Sequence, residues 1–321
     1  MKRFRKILIP IRGDRVRPPV LTQAARLAKQ NDAAIKLIAI VEDLPWYSRL
    51  VMPATEELER LIIRNRSDLL EGLAQELRRD GLKVSVEVLT GRPHLETVRE
   101  VEKGGHDLVM KEAEPNKSLL FGSTDMYLLQ TCPCPLWILK PGHGDKPFSK
   151  ILAAVDPLPP PDDLDLLHLK TEIGQKEESL DVKILDLAGS LAENDNAELQ
   201  IIHAWSVPGE GLLRGEATLD HQQIDRYVED SRVAAENALK RFLGKFPPGS
   251  VRRSVHLIKG NSADVIADFA KSAGIDLIVM GTVARTGIAG LLMGNTAQTI
   301  LQRVDCSVLA VKPDGFVSPV A

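Results

Sequence analysis

LIVMGTVARTGIAGLLMGNTAQTIL, residues 277–301, decides the fold of this chain. It begins as a short apolar run suited to a strand buried on both faces. It reaches Gly281, crosses a glycine-spotted loop, and becomes an apolar-periodic helix near Gly294. A strand that passes through glycines into a helix start is one unit of a parallel α/β sheet. The same stretch has the logic of a phosphate cradle. Glycines allow close backbone approach, and a helix N-terminus offers free N–H groups at a positive dipole end. Asn295 and Thr296 add side-chain donors.

Working outward, the end of this unit has an echo. Residues 132–141 read CPCPLWILKP and residues 304–313 read VDCSVLAVKP. Lys140 matches Lys312, Gly122 matches Gly294 and Ser123 matches Asn295, each pair 172 positions apart. The starts also match, KILIPIR at 6–12 and KILAAVD at 150–156. Between them, KVSVEVLTGRP (83–93) answers RRSVHLIKGNS (252–262), and HDLVM (106–110) answers IDLIVM (275–280). So long a period means a duplicated domain, not a solenoid. We expect a first domain at 1–141, a linker at 142–149 and a second domain at 150–321; the linker GHGDKPFS has turn-forming composition.

Strands are expected at Lys6–Ile11, Ala34–Val41, Val84–Leu89, Leu108–Met110 and Pro135–Leu139. Their second-half counterparts are Ile151–Val155, Leu199–Val207, Ser254–Ile258, Leu277–Met280 and Ser307–Val311. Helical periodicity fills the intervals, with long patterns at 54–80 and 216–243. Alternating strands and helices predict two doubly wound α/β domains, with ligands at the carboxyl ends of the strands.

Bulk properties exclude several classes. A formal net charge of −3 creates no basic field to recruit nucleic acid or anionic lipid. No apolar run has the length of a membrane helix. The opening MKRFRKILIPIRGD reads as a first strand, its apolar core being too short for a signal peptide. Three cysteines make no disulfide framework, and a reducing cytoplasm is the expected location.

LIVMGT, RTG, GNTA and CSVLAVKP resemble the universal stress protein family, and KILAAVD, HAW and KGNSADVI fit the same pattern. Two copies in one chain, with GTVARTGI and GNTA, look most like its tandem, two-domain E-type members. The resemblance implies an open five-stranded parallel sheet in each domain, order 3-2-1-4-5, with fifth strands paired between neighbouring domains. It implies a non-catalytic stress-response protein that binds an adenine nucleotide, ATP, with magnesium accompanying the nucleotide.

ATP-binding members carry G-x2-G-x9-G-[ST] after strand four and an Asp ending strand one. Here the matching positions are Gly281, Ala284, Gly294 and Asn295, with Asp156 as the acid. By resemblance, Asp156 meets the ribose, Ala204 and the Met280–Gly281 backbone line the adenine, and Gly294, Asn295 and Thr296 hold phosphate. Ala284 replaces a glycine and Asn295 replaces Ser or Thr. Half one departs further. Its loop, KEAEPNKSLLFGS (111–123), is two residues shorter. Lys111 stands where Gly281 would, Glu112 and Glu114 repel phosphate, and Arg12 replaces the acid. Half one is therefore expected not to bind ATP in this way.

Other features have simpler readings. Cys132-Pro-Cys134 has no further Cys or His nearby to complete a metal site and reads as core packing where strand five begins. The family has a Cys-Pro there that matches Cys134. His203 lies in the second strand of its domain, where a hydrogen-bonded core histidine is the preferred reading, and His94 is a weak candidate at the pocket rim. GEGLLRG (209–215) misses a dinucleotide fingerprint by one residue, Arg12-Gly13-Asp14 is a chance tripeptide, and the insert at 157–175 could screen the half-two pocket. Trp46 and Met52 read as packing. Alternatives to nucleotide binding are a nucleotide-independent interaction or small-ligand-binding stress protein, with a small apolar ligand in half one, and a slow ATPase. No triad, placed base or metal cluster supports catalysis. Within the chain the two domains would pair intramolecularly, and a further homodimer stays open.

Overall fold

The computed structural model describes residues 3–13, 18–42, 55–113, 122–140, 146–157, 170–207, 209–215, 221–246, 251–282 and 294–320. The first half runs β1 (Lys6–Pro10), α1 (Pro19–Asn31), β2 (Ala34–Val41), α2 (Thr55–Arg79), β3 (Lys83–Thr90), α3 (Pro93–Gly104), β4 (Leu108–Glu112), α4 (Ser123–Thr131) and β5 (Leu136–Leu139). The second half runs β6 (Lys150–Ala154), α5 (Lys170–Asp195), β7 (Glu198–Trp205), α6 (Glu210–Gly215), α7 (His221–Gly244), β8 (Arg253–Lys259), α8 (Ser262–Ala273), β9 (Leu277–Gly281), α9 (Asn295–Arg303) and β10 (Ser307–Val311).

The strands form one ten-stranded sheet, β3-β2-β1-β4-β5-β10-β9-β6-β7-β8. Each half has the order 3-2-1-4-5 and is parallel throughout. The halves meet where β5 and β10 pair antiparallel, with Ile138 opposite Val308 and Trp137 opposite Leu309.

The register explains the apolar runs. Alternate residues point to opposite faces, so Ile7 and Ile9 join one core layer and Leu8 the other. Each layer continues across the join, with Trp137 beside Leu309 in one and Ile138 beside Val308 in the other. Burying each Ile, Leu or Val side chain contributes about 1.5–3 kcal/mol before chain entropy is subtracted. Trp137 also stacks on Phe148, ring centroids 5.8 Å apart.

Local chemistry places the helix ends. Asn261 caps α8, its side chain accepting from the Ala263 and Asp264 N–H groups. Gly274 closes that helix at φ 65°, a left-handed position that favours glycine. Pro19 and Pro93 start α1 and α3, where no N–H is needed.

Several stretches named from the sequence take shape here. GEGLLRG, which misses the dinucleotide fingerprint, is mostly a short helix, α6. The long pattern at 216–243 is α7 over His221–Gly244, and residues 216–220 lie outside the described residues. The insert at 157–175 overlaps the first turns of α5, which starts at Lys170; residues 158–169 lie outside the described residues, as do Trp46 and Met52. No described helix is long and apolar enough to cross a membrane.

Candidate functional site

In the second half the carboxyl ends of β6, β7 and β9 lie side by side. The chain places Asp156 just beyond β6, Ala204 near the end of β7, and Met280 and Gly281 at the end of β9. Gly294, Asn295 and Thr296 form the start of α9. Asp156 is exposed, whereas Ala204 and Met280 are buried. Ala284 lies outside the described residues.

Asp156 is held by its backbone, whose N–H donates to Asp181 Oδ1 at 3.1 Å. Its carboxylate lies 3.4 Å from His203 Nδ1. The same nitrogen is 3.3 Å from the Val155 carbonyl. His203 is thus buried in the strand and also touches the candidate acid. Sequence reasoning assigned it to the core; its nearness to the carboxyl end of β7, within HAW, was the available signal.

The start of α9 is open in a specific sense. Its N-cap, Gly294, has no side chain to accept from the first-turn N–H groups. The Gly294 N–H donates to the Thr282 carbonyl at 3.1 Å, tying the helix start to the end of β9. Thr282 is fully buried, and its hydroxyl has no hydrogen-bond partner among the described residues. A buried, unpaired hydroxyl beside an uncapped helix N-terminus is costly unless something polar arrives.

Gly281 is not open. A Cβ built there would lie 2.9 Å from Leu180 Cδ2 and 3.7 Å from Ile184 Cδ1. Both side chains come from α5, so this helix lies over the end of β9.

The equivalent place in half one is filled. Lys111 projects from β4 into a buried ion pair with Asp125 of α4. The other Asp125 oxygen accepts the Gly122 N–H at 3.0 Å. A carboxylate therefore sits at the N-terminus of α4, with an ammonium against it. Glu112 Oε1 similarly accepts the Val20 N–H, at 3.4 Å, at the start of α1. Two helix starts at this end of the half-one sheet are served by internal carboxylates. His94, the weak rim candidate, instead packs on Tyr127, ring centroids 4.2 Å apart.

A sequence model of the universal stress protein family matches residues 3–140 and 175–312. The chain belongs to the universal stress protein family. It is 27% identical over 330 residues to universal stress protein E of Escherichia coli K12, covering 100% of this chain and 98% of that one. It is 23% identical over 324 residues to a universal stress protein E homolog of Haemophilus influenzae, covering 97% and 98%. Its fold matches a functionally unknown protein of Pseudomonas aeruginosa PAO1 at a TM-score of 0.69 and 24% identity, over 98% of this chain and 95% of that one. A universal stress protein of Archaeoglobus fulgidus matches at 0.58 and 17% identity, over 96% and 98%. The α/β fold of each half is therefore that of the family, present here twice in one chain.

Proposed function

We propose that this universal stress protein is a non-catalytic stress-response protein of the cytoplasm that binds one adenine nucleotide, ATP, in its second half. The observation that carries the reading is the start of α9, without a side-chain cap, beside the buried Thr282 hydroxyl, which has no hydrogen-bond partner among the described residues. Anionic phosphates supply the charge that a helix start favours and acceptors for that hydroxyl. Asp156, on the neighbouring strand end, accepts from ribose hydroxyls. Asn295 and Thr296 donate to phosphate oxygens, and magnesium enters with the nucleotide.

The adenine would lie against the Met280–Gly281 backbone and Ala204. Its arrival there requires Leu180 to leave Gly281. Leu180 thus makes binding weaker than an open site would, and it supports the second reading, a nucleotide-independent interaction protein.

A thermal-shift titration with MgATP separates the two. Nucleotide binding raises Tm in the native protein. Asn295→Glu places a carboxylate at the first turn of α9, which the helix dipole tolerates but phosphate does not, so Tm without ATP holds and the shift disappears. A native protein with no shift supports the second reading, and a shift that survives Asn295→Glu puts the nucleotide away from the start of α9.

A further inference from the structure

Residues 132–134 read Cys-Pro-Cys where the chain turns from α4 into β5. Cys132 ends the helix with extended backbone, φ −65° and ψ 126°, its N–H bonded to the Leu128 carbonyl. Cys132 is fully buried and Cys134 is 8% exposed. Their Sγ atoms touch at 3.7 Å. Chain geometry holds Cα atoms two residues apart within about 7 Å, a separation close to the range disulfides span.

The helix end beside Cys132 would by itself oppose a thiolate, because the last-turn carbonyls carry negative charge. The other half offsets this. Lys312, immediately after β10, donates to the Leu129 carbonyl at 2.6 Å and to the Gln130 carbonyl at 3.3 Å. Lys312 is buried, which brings its pKa down to about 8 and leaves it largely charged at neutral pH. The sulfur contact with Cys134 favours ionisation of Cys132, burial opposes it, and the Lys312 charge favours it; together they hold the Cys132 thiol below its ordinary range. The same contact and burial push Cys134 well up.

Half two contains an internal control. Cys306 matches Cys134, but Val304 stands where Cys132 would. Burial pushes the isolated Cys306 thiol up to about 12.

We propose that Cys132 and Cys134 form a reversible disulfide, with hydrogen peroxide as the oxidant. The Cys132 thiolate attacks the peroxide O–O bond, forming an S–O bond and releasing the leaving oxygen as water once protonated. The Cys134 sulfur then attacks the Cys132 sulfenic acid. The S–S bond forms, the S–O bond breaks, and the Cys134 proton leaves with the hydroxide as a second water. Two thiols lose two electrons and two protons, and one peroxide becomes two waters. A dithiol reductant returns both thiols.

Peptide mass spectrometry on the full-length protein tests this directly. Native protein is treated with hydrogen peroxide, its free thiols are alkylated, and it is digested with trypsin. No Lys or Arg lies between Cys132 and Cys134, so one peptide carries both, and Cys306 falls in another. The expected product is a Cys132/Cys134 peptide lighter by two hydrogens and unalkylated, with Cys306 fully alkylated. Dithiothreitol before alkylation restores two alkylated thiols. Cys134→Ser traps the reaction as a sulfenic acid on Cys132, captured by dimedone, and Cys132→Val, the residue half two uses, abolishes both products. Full alkylation of Cys132 and Cys134 after peroxide has oxidised methionines elsewhere overturns the proposal. So does oxidation that goes to sulfonic acid, or a disulfide that involves Cys306 or a second chain.

Discussion

The two halves share strand order, strand register and the helix that follows strand four, yet they treat that helix start in opposite ways. In half one, Asp125 caps α4 and pairs with Lys111, so the place for an incoming anion holds the chain's own carboxylate and counter-charge. In half two, Ala297 occupies the position of Asp125 and Gly281 that of Lys111. There α9 begins on a glycine, next to a buried hydroxyl that lacks a partner among the described residues. The duplicated fold keeps its packing in both copies, while one copy fills this helix start from within.

A second contrast follows the same line. In half one, Lys36 bonds Glu87 at 2.5 Å and Glu100 at 2.6 Å, and His106 Nε2 lies 3.3 Å from Glu100. Register places Gln200 and His256 where half two would hold Lys36 and Glu87, and they bond each other at 2.5 Å. Phe269 and Ile275 take the places of Glu100 and His106. Half one keeps charges inside where half two keeps neutral and apolar groups.

The largest expected effect breaks the first contrast. Asp125→Ala removes the carboxylate that pairs with buried Lys111 and accepts the Gly122 N–H at the start of α4, and should cost about 3–5 kcal/mol of stability. Urea unfolding checks this, and a cost under about 1 kcal/mol would mean that the pair does not hold half one together. Asp156→Ala should weaken MgATP binding about tenfold, the weight of one charge-assisted hydrogen bond, without changing the unfolding midpoint. Isothermal titration reads the affinity. Leu180→Ala should act in the other direction, tightening MgATP binding several-fold by clearing Gly281 while lowering stability by about 1–2 kcal/mol.

The smallest effect is on pH dependence. Burial holds both His106 and His256 below the usual histidine range. A base whose folded pKa is depressed stabilises fully above its unfolded value of about 6.5 and loses that contribution as pH falls through the folded value. For Glu100, burial pushes upward, but the bonds from Lys36 and His106 prevail and the carboxyl is held low. Its contribution is complete above its unfolded value of about 4.3 and fades below it. Urea midpoints should therefore decline first below about pH 6.5. His106→Ile, which copies Ile275 of half two, should flatten part of that first decline; an unchanged profile would remove His106 from the account.

Much of this was legible in the sequence. The repeat positioned the strands within a residue or two, because apolar runs buried on both faces tolerate little polar substitution. Lys111 in place of Gly281, and a loop two residues shorter, already marked half one as altered. Contacts between elements were not legible. Asp125 lies within a helical segment 14 residues beyond Lys111, and nothing local marks it as the partner. Leu180 reaches Gly281 from a helix about 100 residues earlier, and Lys312 reaches α4 across the junction of the halves. Such pairings depend on where the sheet brings helices, and a periodic pattern does not encode them.

Native mass spectrometry with MgATP tests the asymmetry most directly. The account predicts one nucleotide per chain, lost in Asn295→Glu and retained in Ser123→Glu, the matching change at the start of α4. Two nucleotides per chain, or one that survives Asn295→Glu and disappears in Ser123→Glu, would contradict it.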